Sequence, residues 1–270
     1  MSGTPSYVDP RKPSIARVYD AFLGGSNNYE VDREVVREVR EAVPEAADLA
    51  VENRSFLIRV CRFLAGEADV TQFLDCGSGL PTAQNTHQVV RKIAPDARVV
   101  YVDNDPLVLE HSRALLEGNR TAVIVAEDIF EPETLLRNEV LRSHLDWNEP
   151  IALLHMGTLH HYNGEATRPR KDIVRAYVDA LPSGSYLALS HFLDPENEYS
   201  GTARKLEDRL LHSLMGSGIF STWAELAELF DGLELVDPGL VPCHEWRRDT
   251  PRVDQTPAER CIAGGVARKP

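Results

Sequence analysis

Two glycines and three acidic residues stand at or just after the ends of short apolar runs. Their residue types and spacing are those of groups that could bind a ligand. Gly77 and Gly79 follow the first of these runs. Glycines at such a place allow a tight turn and let a ligand approach the backbone at a strand end. Asp75 precedes them, and Asp103 and Asp128 end the next two runs. Successive strand ends face one crevice in an open parallel sheet, so these residues predict a ligand site.

The glycine loop disfavours a nicotinamide dinucleotide as this ligand. The third glycine of the G-x-G-x-x-G fingerprint would fall at position 82, which is Thr82. Asp75 stands two residues before the first glycine, where a carboxylate is poorly placed beside a pyrophosphate. The same carboxylate suits a ligand that carries an ammonium and a sulfonium and no phosphate. S-adenosylmethionine is such a ligand, so we expect it as the cofactor, with a dehydrogenase as the disfavoured alternative.

Further residues at these strand ends can contact the nucleoside part of the cofactor. We expect Asp103 to accept both ribose hydroxyl hydrogens and Asn104 to pack against the adenine. Asp128 can accept from the adenine amino group, and Ile129 can supply an apolar face. Three more residues complete the set expected at the strand ends: Ser78, His155 and Met156.

The elements that must position these residues alternate along the chain. Short apolar runs alternate with longer amphipathic stretches, which is typical of parallel strands joined by right-handed helical crossovers. The predicted strands are Gln72–Cys76, Arg98–Asp103, Ala122–Ala126, Ile151–His155 and Ser185–Ser190. The predicted helices between them are 82–93, 106–117, 132–142 and 170–181. The pattern therefore predicts an α/β fold with a doubly wound, mostly parallel sheet.

The N-terminal part differs from this alternating region. We expect residues 1–13 to form a flexible arm and residues 14–66 to form a helical segment. Ser14 is predicted to cap the first helix, and Gly24 and its neighbouring glycine are predicted to end it. Residues 67–270 are expected to form the cofactor-binding domain.

The C-terminal part predicts two helices and a final pair of strands. The helices are expected at 202–215 and 221–230. The strands are expected at Leu233–Val236 and Cys261–Ala267, separated by a long irregular stretch, 237–258. Because no crossover helix joins these two strands, they are expected to run antiparallel.

Composition and charge limit the classes of function. The chain has 270 residues and a net charge of −13. Nucleic-acid binders usually carry a basic face, so we expect no nucleic-acid partner. No apolar run is long enough to span a bilayer, and the polar first residues do not suggest a signal peptide, so we expect a cytoplasmic protein without a membrane partner. The four cysteines lack metal-ligand spacing, and we expect no metal.

Several blocks of the sequence resemble one family of proteins. The chain is similar to class I S-adenosylmethionine-dependent methyltransferases and, more narrowly, to an actinobacterial S-adenosyl methyltransferase family long catalogued as a domain of unknown function. The blocks are PSIARVYDAFLGGSNNYEVDRE (13–34), ENRSFL (52–57), FLDCGSGLPTAQNTH (73–87), VVYVDNDPLVL (99–109), LPSGSYLALSH (181–191) and GGVARK (264–269). The resemblance implies a Rossmann-like, seven-stranded sheet whose last strand is antiparallel. It also implies cofactor contacts at Asp75, Gly77, Gly79, Asp103, Asn104, Asp128 and Ile129.

The resemblance further implies that the N-terminal helical segment covers the methionine end of the cofactor as a lid. Four of its residues are expected to contact the cofactor: Arg17, Tyr19, Gly24 and Asn28. Arg17 or Arg54 can pair with the methionine carboxylate, and Asn28 can donate a hydrogen bond to it. The alternative is a helix that packs on the sheet edge, with an ordinary turn at GGSNN.

A general base is the remaining group that methyl transfer can require. The reaction is an in-line displacement on an activated sulfonium, so positioning suffices unless the nucleophile is weak. The candidates follow the fourth predicted strand: His155, His160, His161 and Tyr162. Histidine titrates near neutrality and can deprotonate an acceptor, whereas the alternative is that these residues only shape the pocket.

The residues and the resemblance together predict a function and leave others open. We expect an S-adenosylmethionine-dependent methyltransferase that acts on an unidentified small-molecule acceptor. A non-catalytic protein that binds S-adenosylmethionine or S-adenosylhomocysteine is the alternative. Methylation of a protein or a nucleic acid is also open, and the net charge of −13 makes the nucleic acid the least favoured acceptor.

Overall fold

One mixed sheet forms the centre of the computed structural model, which describes residues 8–82, 84–250 and 254–270. Its strands are β1 (Gln72–Cys76), β2 (Arg98–Asp103), β3 (Ala122–Ala126), β4 (Ala152–Met156), β5 (Tyr186–Phe192), β6 (Glu234–Leu235), β7 (Val241–Pro242) and β8 (Ile262–Arg268). Seven strands follow the order β3-β2-β1-β4-β5-β8-β6, and β7 pairs with β8. The first five are parallel, while β8 is antiparallel to β5. The predicted α/β class and the antiparallel last strand are confirmed.

Helices cover both faces of this sheet. They are α1 (Ile15–Phe22), α2 (Glu30–Ala42), α3 (Ala47–Gly66), α4 (Thr86–Val90), α5 (Pro106–Leu115), α6 (Pro132–Leu135), α7 (Glu139–His144), α8 (Arg170–Ala180), α9 (Ser200–His212) and α10 (Trp223–Ala227). Neighbouring strand residues alternate between two apolar cores. Phe73 and Val99 pack with α2, α3 and α9, whereas Leu74 and Val100 pack with α7, α8 and α10. Because both faces are covered, a ligand must enter at the strand ends.

Two predicted helices are interrupted by asparagine caps. The helix predicted at 82–93 is reduced to α4, because Asn85 and Gln88 form a capping box that starts the helix later. The helix predicted at 132–142 is split into α6 and α7, because the side chain of Asn138 accepts from two backbone N–H groups and starts a new helix.

The first helices are fixed by local hydrogen bonds and one buried ion pair. The Ser14 side chain accepts from the backbone N–H of Arg17, so its predicted capping role is confirmed, and α1 stops before Gly24. Asp32 on α2 is fully buried and accepts from Arg17 Nε at 2.8 Å. It also accepts from the backbone N–H groups of Ser14 and Tyr29. These bonds hold α1 against α2.

The start of the described chain packs against the glycine-loop region. Val8 is buried and clusters with Leu80, Leu107 and Val108. The rest of the predicted arm, residues 1–7, lies outside the described residues, as do residue 83 of a predicted helix and residues 251–253 of the predicted irregular stretch. Within the described ranges, none of the helices has the length and apolar character that a membrane span requires.

Candidate functional site

A cavity of about 580 Å³ opens where β1, β2, β3 and β4 end. Its volume lies in the range of roughly 300–1,000 Å³ that is typical of small-molecule sites. We call it the cofactor cavity. It brings together most of the predicted cofactor residues: Tyr19, Asp75, Gly77, Ser78, Gly79, Asp103, Asn104, Asp128, Ile129 and Met156. The predicted crevice at the strand ends is therefore present in the fold.

The two glycines of the loop meet different requirements. Both have positive φ, +74° at Gly77 and +65° at Gly79. A Cβ atom at Gly77 would lie 2.5 Å from Cγ2 of Thr158, so this glycine is required by packing. A Cβ atom at Gly79 would meet nothing within 4 Å, so its backbone is open to a ligand. The buried hydroxyl of Ser78, between them, has no hydrogen-bond partner among the described residues. An open backbone beside an unpaired hydroxyl fits a polar ligand such as a nucleoside.

Asp103 lies beside this loop with part of its hydrogen-bonding capacity used. One carboxylate oxygen accepts from the Gly79 N–H and the other from the Asp105 N–H, each at 2.9 Å. Burial raises the pKa of Asp103 to about 6, although these backbone bonds act in the opposite direction. A carboxylate offers about four acceptor positions, so two remain for the hydroxyls of a ligand.

Opposing effects also act on the pKa of Asp75, which lies near the end of β1. Its carboxylate accepts from the Thr86 hydroxyl at 2.7 Å. Burial raises its pKa to about 6, while the Thr86 bond and the charge of Arg54 oppose that rise. A cationic group on a ligand would offset the cost of burying this charge. The site therefore suits a ligand with an ammonium group.

The N-terminal helices line the cofactor cavity mostly with other residues than the four that the sequence predicted. Arg17 is buried in its ion pair with Asp32, and Asn28 donates to Asp20 at 2.8 Å. Neither residue lines the cofactor cavity, nor does Gly24, which follows the end of α1. These three assignments are corrected, because their polar groups or backbone serve the local fold. Of the two arginines considered for a carboxylate, Arg54 lines the cavity.

Three of the four candidate bases do not line the cofactor cavity, and two of these, His155 and Tyr162, pack against aromatic rings elsewhere. The side chain of His155 lies 5.3 Å, between ring centroids, from Tyr177 in the core on the other face of the sheet. Its neighbour Met156 lines the cavity instead, because successive strand side chains point to opposite faces. Tyr162 packs on Phe130 at 4.9 Å. Burial lowers the pKa of His155 to about 3. Its assignments as a cofactor contact and as a base are corrected.

The other two candidates, His160 and His161, lie in a short 3₁₀ turn after β4. His160 is buried, stacks on Phe192 at 3.6 Å, and its Nδ1 accepts from the Phe192 N–H. His161 lines the cofactor cavity, and its Nδ1 lies 3.0 Å from the Ser217 hydroxyl. Burial lowers the pKa of His161 to about 3, so it is neutral at pH 7. Of the four candidates, His161 is therefore the one placed to meet a ligand there.

A second cavity of about 50 Å³ adjoins the first, and we call it the apolar chamber. It lies among side chains of α1, α3 and α9, including Val18, Leu49 and Leu210. Six residues line both cavities and form what we call the shared wall: Ile15, Tyr19, Asn53, Gly157, His161 and Met215. His160 lines the chamber alone.

Asn53 on α3 is a shared-wall residue that the sequence reasoning did not select. It is buried, its amide oxygen accepts from the Ser190 hydroxyl, and its Nδ2 donates to the Tyr19 hydroxyl at 3.1 Å. A Cβ atom at Gly157 would lie 2.8 Å from this Nδ2, so glycine is required there. The sequence pattern that could have identified Asn53 is a polar residue on the apolar face of a helix, four positions after Leu49.

Comparison with known proteins places this fold and site in one class. A sheet in this strand order, with a ligand cavity at the ends of its parallel strands, is the architecture of class I methyltransferases. The profile of a family described as S-adenosyl methyltransferase matches residues 1–270, and the chain belongs to that family. The family implies S-adenosylmethionine as the cofactor. No curated protein matches the chain.

Solved structures extend this comparison. A candidate methyltransferase from Thermobifida fusca YX is 41% identical, with a TM-score of 0.92 and 98% of each chain covered. A DUF574 family protein from Streptomyces avermitilis MA-4680 is 35% identical, with a TM-score of 0.89, over 97% of this chain and 99% of that one. The N-methyltransferase NodS from Bradyrhizobium japonicum WM9, in complex with S-adenosyl-L-homocysteine, is 14% identical with a TM-score of 0.51, over 94% and 99%. That last likeness concerns the fold alone.

Proposed function

We propose that this chain transfers the methyl group of S-adenosylmethionine to a small-molecule acceptor. The observation that carries the proposal is the cofactor cavity, which is lined by buried Asp75 and Asp103 together with the open backbone at Gly79. Membership of an S-adenosyl methyltransferase family supports it. The net charge of −13 favours a small molecule over a nucleic acid as acceptor.

The strand ends hold the nucleoside part in this proposal. Asp103 accepts from the ribose hydroxyls with the acceptor positions that Gly79 and Asp105 leave free. Ile129 supplies an apolar surface for the adenine, with Asn104 against it, and Asp128 accepts from the adenine amino group. These groups bind the parts of the cofactor that do not react.

The methionine end is held by two charged groups. Asp75 pairs with the ammonium group, and Arg54 pairs with the carboxylate. Arg54 is tethered at Nη2 by the backbone oxygen of Gln84, 2.6 Å away. The bound cofactor supplies an electrophilic methyl group on its sulfonium.

His161 is the chain's own group for proton transfer from the acceptor. It lies on the shared wall and is neutral at pH 7, so it can accept a proton. When Nδ1 donates to Ser217, Nε2 is left as the accepting nitrogen. Its lowered pKa makes it a weak base. We therefore assign much of the catalysis to the positioning of the acceptor against the methyl group.

The N-terminal helical segment acts as the lid of this site. Pro13, Ser14, Ile15 and Tyr19 line the cofactor cavity, and the Arg17–Asp32 ion pair holds their helix in place. A wall from this segment excludes water from the methyl group, which favours transfer to the acceptor over hydrolysis.

Isothermal titration with S-adenosylmethionine and S-adenosylhomocysteine tests the proposal. We expect both to bind the wild-type chain and Asp103→Ala to weaken them by roughly a hundredfold, because two hydrogen bonds to a charged group are lost. Asp179→Asn, at an exposed acid on α8, is the matched control and should leave the Kd unchanged. Absence of binding to the wild-type chain, or binding of nicotinamide cofactors alone, would contradict the proposal.

A further inference from the structure

The apolar chamber differs from the cofactor cavity in its chemistry. Its wall contains no Asp, Glu, Lys or Arg among the described residues. The polar groups that line it are Tyr19, Asn53, His160 and His161. Three of these four belong to the shared wall, so the polar groups concentrate where the chamber meets the cofactor cavity.

The position of the chamber links it to methyl transfer. The shared wall contains His161, the group assigned to proton transfer, and Asn53, whose amide is held in one orientation by Ser190 and Tyr19. Nδ2 of Asn53 carries a second hydrogen and lies close above Gly157, where no side chain intervenes. A molecule that extends from the chamber to this wall meets a donor and a proton acceptor together.

Size and charge restrict what the chamber can hold. A charged group there would lose its hydration without gaining an ionic partner, which is strongly unfavourable. A cavity of about 150 Å³ is known to hold benzene. The chamber, at about 50 Å³, can therefore enclose an alkyl group or one edge of a ring. At the shared wall, Ile15 is exposed and Met215 is partly exposed, so neither side chain is enclosed on all sides.

We propose that the apolar chamber binds the far end of the methyl acceptor, and that the acceptor is an uncharged molecule with a small apolar end group. Its nucleophilic atom lies at the shared wall, between Asn53 and His161. This inference rests on the proposed function, because it takes the larger cavity as the cofactor site. Asn53 is a positioning residue here and His161 receives the proton.

Two small phenols with different far ends provide the probes. 4-Methylphenol and 4-hydroxybenzoate share the phenolic hydroxyl and differ in carrying a methyl or a carboxylate opposite it. Binding of each is measured by isothermal titration to protein saturated with S-adenosylhomocysteine. Two variants fill the chamber from different elements, Ala50→Leu from α3 and Leu210→Phe from α9. Ala180→Leu, at an exposed position at the end of α8, is the matched control.

We expect 4-methylphenol to bind and 4-hydroxybenzoate to bind at least about tenfold more weakly, because the chamber offers no counter-charge. Each chamber variant should weaken 4-methylphenol by roughly tenfold. It should leave the Kd of S-adenosylhomocysteine within about twofold, because Ala50 and Leu210 line the chamber and not the cofactor cavity. Ala180→Leu should change neither. Thermal unfolding identifies a variant that does not fold. The other chamber variant then tests whether 4-methylphenol occupies the chamber.

Three results would overturn this inference while leaving the proposed function in place. They are no binding of 4-methylphenol, equal binding of the two phenols, or 4-methylphenol binding that the folded chamber variants do not change. Failure of the wild-type chain to bind S-adenosylhomocysteine is a different result and would overturn the proposed function itself.

Discussion

The cofactor cavity and the apolar chamber share a wall but are built in different ways. The cofactor cavity takes its polar groups from loops that follow successive strands, such as Asp75, Asp103 and Asp128. The chamber takes its apolar groups from helices that are far apart in sequence, such as Val18 on α1 and Leu210 on α9. The first is therefore a product of local motifs, and the second is a product of tertiary packing. Four predictions test how far this separation holds.

Breaking the Arg17–Asp32 ion pair should have the largest effect, and it should act mainly on stability. Arg17→Met leaves the carboxylate of Asp32 buried without its cation, which costs about 3–5 kcal/mol. Urea unfolding measures this loss. The Kd of S-adenosylhomocysteine, measured where the variant is folded, should rise much less than in Asp103→Ala, because Arg17 supports the lid helix but does not itself line the cofactor cavity. A large loss of affinity with unchanged stability would contradict this and would indicate that Arg17 contacts the cofactor.

Alanine at the two loop glycines should separate packing from ligand approach. Gly77→Ala places a methyl group against Thr158 at positive φ, so we expect a loss of about 2–4 kcal/mol in the free energy of unfolding. Gly79→Ala should cost only about 1 kcal/mol and should mainly weaken S-adenosylmethionine binding, because its methyl group enters open space. Chemical unfolding and titration of both variants check this. If the two substitutions lowered the free energy of unfolding equally, the assignment of Gly77 to packing and Gly79 to ligand approach would be wrong.

Removing the charge of Asp75 should stabilise the ligand-free protein while weakening cofactor binding. Asp75→Asn keeps an acceptor for Thr86 and avoids a buried charge, so we expect a gain of about 1–3 kcal/mol at pH 7. The affinity for S-adenosylmethionine should fall, because the ammonium group loses its partner. Thermal unfolding and titration of the same variant measure both. A variant that is less stable and binds normally would show that Asp75 serves only the fold.

Lower pH should act more gradually than these substitutions, and its two consequences have opposite signs. The folded-state pKa values of Asp75 and Asp103 are raised from 3.8 to about 6, so the folded protein binds more protons than the unfolded chain between these values. Their contribution to stability is therefore full below about pH 4 and is lost as the pH rises through 6. Cofactor binding requires the ionised forms, so each carboxylate should lower the affinity by about tenfold between pH 7 and pH 5, and the two together by about a hundredfold.

Titrations at pH 7, 6 and 5 with S-adenosylmethionine measure this dependence. Asp75→Asn is the control and should show a shallower decline. Affinity that does not change over this range would indicate that neither carboxylate contacts the cofactor.

The strand ends could be predicted from the sequence because each signal is local. An apolar run that ends in an acid, followed by glycines, identifies Asp75, Gly77 and Gly79 without knowledge of the rest of the chain. These residues lie at the same edge of the sheet in any strand order, since the carboxyl ends of parallel strands meet there. For the same reason Asp103 and Asp128 came together in one cavity.

The face on which a buried strand presents a side chain could not be predicted in the same way. His155 and Met156 are both in β4, and both lie in an apolar run. A strand that is covered on both faces lacks the alternation of polar and apolar residues that would reveal its orientation. His155 was therefore expected in the crevice and lies on the opposite face.

Partners that are distant in sequence account for the other differences. The pairing of Arg17 with Asp32 depends on how α1 packs against α2, and an arginine in a helix does not indicate its partner. The residues of the apolar chamber, such as Leu49 and Leu210, are apolar helix residues of the kind found in any core. Only their arrangement in the fold leaves a space between them.

A crystal structure of the chain with S-adenosylhomocysteine tests the central claim most directly. We predict that the ligand fills the cofactor cavity, with its ribose hydroxyls on the Asp103 carboxylate, its adenine against Ile129 and its ammonium group on Asp75. Its sulfur should face the shared wall at Asn53 and His161. A ligand bound outside the ends of β1 and β2, or with its ribose away from Asp103, would contradict the account.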